Sequence, residues 1–339
     1  MILVTGSTGL AGSHLLQELT SQGKHVRALH RKNSNKDFVR HVFNAYAKDA
    51  EKQLSLIEWV EGDVLDIYSL EEAMRGIKKV YHNAAVVSLS AGDRKLLAKV
   101  NTEGTANVVN AALEEGIEKL CHVSSIAALG RANQDGITDE TTDWVTSRHN
   151  SYYAISKFNA EREVWRGSVE GLRTVIVLPS VILGLTDINN SSMKLFKTIL
   201  KGLPFYTHGS NGYVDARDLA YAQVMLMESG INNEKFLVTS ENLSYKEVLG
   251  MIARGLGKRP PFIGVNQPMA TLAWSFFKAK GLLTGKAPII TRETAATAMR
   301  KYTYSNRKIK EATGMEFRPV SETISDLCKI FRENDFFRK

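Results

Sequence analysis

The stretch Ile2-Leu3-Val4-Thr5-Gly6-Ser7-Thr8-Gly9-Leu10-Ala11-Gly12 decides the fold. An apolar run of strand character enters a glycine-rich turn, and an amphipathic helical pattern follows at once. Glycine lets a backbone turn tightly and approach a ligand closely. The helix that starts there offers free N–H groups and a partial positive charge to a pyrophosphate. The spacing is Gly-x-x-Gly-x-x-Gly after a threonine, not the commoner Gly-x-Gly-x-x-Gly of dinucleotide-binding units. A glycine turn between strand and helix can also be purely structural. As the first such turn of the chain it predicts dinucleotide binding through Gly6, Thr8, Gly9, Leu10 and Gly12.

Outward from that turn, residues 26–31, 57–63, 78–85, 119–125 and 173–180 read as further strands, Val/Ile-rich and bounded by turn residues. Helical patterns lie between them, one of which sets Leu97, Val100, Gly104, Val108 and Ala112 on a single face. This alternation predicts an α/β fold: a Rossmann-type doubly wound parallel sheet, covered on both faces. The second half breaks the rhythm. A strand and helix near 213–227 are read as returning to the nucleotide domain, with Asp215 as helix cap. The expected division is a nucleotide-binding domain at 1–180 and 213–240. A smaller, irregular C-terminal substrate-binding domain takes 181–212 and 241–339. The polar stretch 33–55 is longer than a compact unit needs. It is expected to carry a helix with Phe38, Val42 and Tyr46 on one face.

Composition narrows the class. A chain of 339 residues with 43% apolar and 24% charged residues is that of an ordinary globular protein. The net charge of +8 comes from scattered Lys and Arg mixed with acids, which reads as a solvated surface able to draw in anionic ligands. Neither a basic stripe nor a motif points to nucleic acid. The two cysteines, Cys121 and Cys328, stand in no ligand-spaced pair, so neither a metal site nor a disulfide framework is expected. Cys121 reads as a small core residue. No apolar run has the ~20 residues of a membrane helix. The nearest, at 272–283 with Trp274, Phe276 and Phe277, is broken by Lys278 and Lys280. Together with Leu282 and Leu283 it reads as the wall of an apolar pocket, or as core, rather than a membrane-surface helix. Met1 leads straight into a strand without a secretory start, so the cytoplasm is the expected address.

The end of the second strand selects among cofactors. A carboxylate there would bind a ribose 2′-OH and favour NAD. His30, Arg31 and Lys32 stand there instead, and cations suit the 2′-phosphate of NADP. NADP(H) is therefore favoured and NAD(H) comes second; the plain alternative is an exposed basic turn. Asp63 and Val64 close the third strand, where the carboxylate can accept from an adenine amine. Asn83, Ala84 and Ala85 close the fourth, where small residues let a cofactor lie against the backbone.

The reacting groups come next. A strand ends in Ser124 and Ser125, and a helix opens with Ser151-Tyr152-Tyr153-Ala154-Ile155-Ser156-Lys157. Tyr153 and Lys157 share one helix face. A phenol titrates near ~10, and a nearby ammonium lowers that value. Tyr153 is thus the expected acid/base and Lys157 its tuner and the holder of the nicotinamide ribose, with a serine hydroxyl orienting the substrate oxygen. A second Tyr-x-x-x-Lys, Tyr304 and Lys308, has no serine strand before it and is read as chance.

At these residues the chain resembles the extended short-chain dehydrogenases/reductases. The resemblance rests on the glycine loop, the serine strand, Tyr153-x-x-x-Lys157 and Leu178-Pro179-Ser180-Val181-Ile182-Leu183-Gly184. His82-Asn83-Ala84-Ala85, the segment 100–105 and the segment 122–130 are similar to its dihydroflavonol-4-reductase-like branch. That branch is similar in turn to 3β-hydroxysteroid dehydrogenases and some sugar-nucleotide epimerases. The resemblance covers nearly the whole chain, densely up to Asp218 and thinly beyond. It implies a Ser-Tyr-Lys triad with Ser125 as the hydroxyl, Ser124 as a cofactor-side neighbour and Asn101 as the supporting helix asparagine. It also implies contact of Pro179, Ser180 and Val181 with the nicotinamide carboxamide. Asn101 as a packing residue and Ser124 as a plain strand residue are the alternatives. Helices at 94–115 and 151–169 resemble those that pair as a four-helix bundle, which implies a homodimer with apolar residues on their outer faces; each could equally pack only on its own sheet. The leading expectation is NADPH-dependent reduction of a ketone or aldehyde on a moderately apolar small molecule. A nucleotide-sugar epimerase or dehydratase using NAD is the runner-up. A non-catalytic NADP-sensing protein is the third reading, against which the complete triad speaks.

Overall fold

Seven short strands make one sheet: β1 (Ile2–Thr5), β2 (Val26–His30), β3 (Ile57–Glu61), β4 (Lys79–His82), β5 (Lys119–Val123), β6 (Arg173–Pro179) and β7 (Glu234–Val238). Their spatial order is β7-β6-β5-β4-β1-β2-β3, with every neighbouring pair parallel. The structure, a computed structural model, describes residues 1–130, 136–147, 150–187, 192–266, 269 and 298–333. The apolar segment with Trp274, Phe276, Phe277, Leu282 and Leu283 lies outside the described residues.

The strands are apolar throughout because both faces are covered. Ile2 and Val4 of β1 enter one core with Leu15, Leu16 and Leu19 of helix α1 (Leu10–Ser21) and Leu219 and Val224 of the helix Ala216–Glu228. Leu3, between them, enters the core on the opposite face with Leu70, Val108 and Val164. These come from the helices Ile67–Met74, Gly104–Glu114 and Tyr152–Val169. The sheet is thus doubly wound, as expected. At the start of β5 the buried Lys119 ties a helix end to the sheet. Its Nζ donates to the carbonyl oxygens of Leu226, Ser229 and Ile231 at 2.8, 3.0 and 2.7 Å. A cation at a helix C-terminus is favourable there.

Two sequence expectations change. The strand expected near Tyr213 is Ser210–Asp215, and it leaves the large sheet. It pairs with Val181–Leu183 in parallel and with Glu241–Ser244 in antiparallel. The following helix does return, capped by the Asp215 side chain, which accepts from Arg217 N. β7 then completes the sheet. The helical run through Leu97 and Val108 is not uniform either, since residues Ala98–Glu103 form a π-turn. Asn101 lies within it, and its side chain is bonded outside the helix.

The insertion 33–55 folds as α2 (Asp37–Tyr46) and the short helix Ala50–Leu54. Val39 and Phe43 of α2 join the core beside α1, while Val42, Phe38 and Tyr46 pack with the C-terminal core. That third core is built from the helices Met193–Leu200, Tyr245–Gly255 and Val320–Glu333. The expected face is present, and it buttresses two cores at once.

Candidate active site

Gly6 has a φ of +64°, and a Cβ there would sit 2.5 Å from Ala84 N and 2.6 Å from the Asn83 carbonyl carbon. A Cβ on Gly12 would lie 2.2 Å from Gly6 O. Any side chain at either position would break the loop. The loop therefore nests against the end of β4, between β1 and β4, where the strand order reverses. Open α/β sheets bind ligands in that crevice. Ser7 fixes the other side, donating from Oγ to Leu29 O at 2.6 Å. Gly9 caps α1 with no side-chain hydrogen bond, and the first turn carries no acid. Beside it, both side-chain polar atoms of Asn83 are buried without a partner among the described residues. An uncapped helix start and an unpartnered amide in one crevice are the features a dinucleotide pyrophosphate and its ribose would use.

A hydrogen-bonded chain runs under the crevice. Thr105 Oγ1 donates to Asn101 O at 2.6 Å, so it accepts from His82 Nε2 at 2.9 Å. His82 Nδ1 must then accept from Thr5 Oγ1 at 2.8 Å, and Thr5 Oγ1 takes the Ala84 N–H at 3.3 Å. This fixes His82 as the neutral Nε2–H tautomer. Burial, and after it the Lys157 charge, push the His82 pKa down to about 3. The chain ties β1, β4 and the helix above them into one frame.

The reacting groups sit on that frame. The Ser125 hydroxyl is close enough to the Tyr153 phenol to draw its pKa down. Ser125 Oγ also accepts from Ala127 N at 3.1 Å. Tyr153 is half-buried and lies in the first turn of the Tyr152–Val169 helix, which Ser151 caps. Lys157 is 2% exposed, and its Nζ donates to Val123 O at 2.7 Å. The lowering of the Tyr153 pKa expected from Lys157 is not what the structure shows. Burial raises the phenol above its ordinary value, and the Ser125 hydrogen bond draws it back only in part. Lys157 is itself drawn down to about 8 by burial, against the opposing charge of Glu161.

The remaining expected residues divide. Asn101 is buried and clamps the loop after β4: its Oδ1 accepts from Val86 N at 2.7 Å and its Nδ2 donates to Val86 O at 2.9 Å. It also donates to Ser156 Oγ at 2.9 Å. It supports the site without meeting Tyr153. Ser124 Oγ turns to Glu161 at 3.0 Å, so its side chain serves the helix. Ser180 Oγ donates to Thr239 Oγ1 at 3.0 Å; Pro179 ends β6 and Val181 begins the next strand. Asp63 forms its own turn, accepting from Leu65 N at 3.0 Å, and the Val64 carbonyl takes Asn107 Nδ2 at 3.0 Å. Ala84 is half-buried and Ala85 exposed at the crevice, and Thr8 and Leu10 line the loop half-buried. His30 donates from Nδ1 to Arg31 O at 3.0 Å and turns its edge to Trp59, so its ring is held in the turn. Arg31 and Lys32 are exposed. Sequence reading missed Lys36, whose Nζ lies 5.0 Å over the Trp59 ring and adds a third cation to that end. It also missed Glu161. The decoy pair dissolves: Tyr304 lies in a strand paired with Ile137–Thr138, and Lys308 in a helix binds Glu234.

The described residues hold no acid, histidine and cysteine cluster able to bind a metal ion, and none of their helices is long and apolar enough to cross a membrane. Residues 2–239 match the family model described as NAD dependent epimerase/dehydratase family. A Synechocystis protein provisionally named dihydroflavonol 4-reductase is 26% identical, over 99% of this chain and 95% of its own. Sterol demethylase protein B of Methylococcus capsulatus is 30% identical, over 78% of this chain and 76% of its own. The crystal structure of gox2253 superposes with a TM-score of 0.81 at 30% identity, covering 98% of both chains.

Proposed function

This chain belongs to the NAD dependent epimerase/dehydratase family of extended short-chain NAD(P)-dependent oxidoreductases, and we propose that it reduces a ketone or aldehyde on a moderately apolar substrate with NADPH. The observation that carries the reading is Tyr153 and Lys157 one turn apart on one helix, with Lys157 buried and its Nζ bonded to Val123 O at 2.7 Å, at the strand end that carries Ser125. One relative is by name a reductase and another carries a sterol in its name, which supports a carbonyl on an apolar framework.

In this reading the Gly6–Gly12 loop and the start of α1 hold the pyrophosphate. Asn83, Ala84 and Ala85 lie along the cofactor, and Asp63 and Val64 meet the adenine. Arg31 and Lys32 take the 2′-phosphate, and residues 179–181 meet the nicotinamide. The bound cofactor supplies a hydride to the carbonyl carbon. Tyr153 gives its proton to the oxygen as charge develops there, and Ser125 orients that oxygen. A phenol held above its ordinary value is protonated at neutral pH, the state a reductase needs in its proton donor. The Lys157 ammonium offsets negative charge as the phenolate forms. The working form is a homodimer.

The test is a panel of aldehydes and ketones assayed with NADPH and with NADH. Turnover of apolar carbonyls with a preference for NADPH is expected. The family description itself favours a second reading, a nucleotide-sugar epimerase or dehydratase that recycles a tightly held NAD. NAD released from the denatured pure protein, with no turnover of any carbonyl, would replace the first reading by the second.

A further inference from the structure

One turn beyond Lys157, the same face of the Tyr152–Val169 helix carries Glu161. It is 5% exposed, and a carboxylate so buried is costly unless its oxygens are bonded. They are bonded from three elements. Ser124 Oγ, just past the end of β5, donates to Oε2 at 3.0 Å, Trp165 Nε1 on the helix donates to Oε1 at 3.3 Å, and Lys235 Nζ on β7 stands 3.5 Å away. Trp165 and Lys235 can only donate, so the site is built for an acceptor.

The other titratable neighbours of Lys157 bring no negative charge. His82 on β4 and His122 on β5 are both kept neutral, by burial first and by Lys157 itself second. Tyr153, one turn back, is kept protonated by burial. Two groups favour the charged form of Lys157: the Val123 carbonyl, which accepts from its Nζ at 2.7 Å, and the carboxylate of Glu161, the one charge that opposes the loss of its proton. We propose that Glu161 is a positioning residue of this site: through Ser124 it locks the end of β5, whose Val123 carbonyl takes Lys157 Nζ, to the Tyr–Lys helix, and it sets a buried carboxylate one turn from that ammonium. The proposal rests on the reading of Lys157 as a member of the reacting triad. Trp165 and Lys235, two of the partners of Glu161, also line a cavity of about 440 Å³. On the other side Ser124 is 3% exposed.

The geometry requires opposite effects from two substitutions. Glu161→Gln keeps the shape and removes the charge, so the Lys157 midpoint falls by about one pH unit or more. Lys235→Met removes a competing cation, so the midpoint rises. Both are read by NMR of lysine-labelled protein without cofactor or substrate, with the Lys157 signal assigned through Lys157→Arg. In turnover, the alkaline limb of kcat/KM moves down in Glu161→Gln and up in Lys235→Met. A merely structural Glu161 would leave both midpoints where they are, and that result overturns the proposal. If Glu161→Gln does not fold, Lys235→Met decides alone: an unmoved or lowered midpoint refutes it. Because the titration needs no substrate, a wrong substrate class leaves it intact. Full turnover in Tyr153→Phe would instead remove the functional reading while the Glu161–Lys157 coupling stood.

Discussion

Tyr153→Phe removes one oxygen and keeps the ring, its packing and the helix start. Turnover on any accepted carbonyl should fall about 10²–10⁴-fold, the scale of a lost general acid, while fold and cofactor affinity persist. Near wild-type turnover would end the triad assignment. Tyr304→Phe is the control, since Tyr304 is 9% exposed in a short strand paired with Ile137–Thr138; its turnover should stay close to wild type. Arg31 makes the second prediction at this scale. Arg31→Ala removes a charged hydrogen bond worth roughly 1.5–3 kcal/mol to a 2′-phosphate and nothing to a 2′-hydroxyl. The Kd for NADPH should rise about tenfold or more while that for NADH barely moves. Equal losses would reduce Arg31 and Lys32 to a surface turn. Tyr153 and Lys157 could be paired in the sequence because residues four apart share a helix face, whereas Ser125 came from the family resemblance. Glu161 was legible in neither way: its Ser124 bond spans 37 residues, and the Thr5–His82 bond spans 77. Contacts made only by the fold leave no local pattern to read.

Elements were legible where burial on both faces wrote apolar runs, and less so where a side chain overrode periodicity. The π-turn Ala98–Glu103 shows this, because Asn101 spends its amide on Val86 and Ser156 rather than on its helix. The strand Ser210–Asp215 reads like any other strand, and its small-sheet partners are set by topology that a single strand does not encode. Arg217 joins elements that the sequence keeps apart. It binds Asp215 at 2.6 Å and Asp326 of the last described helix at 2.9 Å, and lies 4.9 Å over the Tyr46 ring of α2. Arg217→Ala would strand Asp215, 3% exposed, in the interior. The expected cost is about 3 kcal/mol, read as a lower denaturant midpoint at unchanged slope. The pH dependence has a definite sign. Burial raises the Asp215 carboxyl, but Arg217 and Thr323 together outweigh it and leave the value below that of the unfolded chain. The contribution of Asp215 is therefore complete above the ordinary carboxylate range near ~3.9 and is lost as pH falls through the folded value. Arg217→Ala should flatten that acid limb; an unchanged limb would place the acid sensitivity elsewhere.

At the scale of the molecule, three cores share one sheet and one strut. The two faces of the sheet carry separate cores, and α2 links one of them to the C-terminal helices. The opposite face is covered by the helix pair Gly104–Glu114 and Tyr152–Val169. Its outer surface is where a second copy is expected. That surface is less apolar than the sequence suggested, because most of the apolar residues of the two helices are taken up by the sheet. Leu96, Tyr152 and Val169 are exposed at 48, 37 and 90%, but exposed Lys99, Glu103 and Arg162 share the same two segments. A homodimer through this face would be isologous, so each residue near the axis meets its own copy. It must bury more than ~1,000 Å² to be stable at micromolar concentration. Light scattering is expected to give twice the chain mass. Leu96→Glu sets a charge where two copies would meet, and an exposed site tolerates the change within about 0.5 kcal/mol in the single chain. The variant should therefore run as a folded monomer. A wild-type monomer at that concentration, or a Leu96→Glu protein that stays dimeric, would remove this face as the interface.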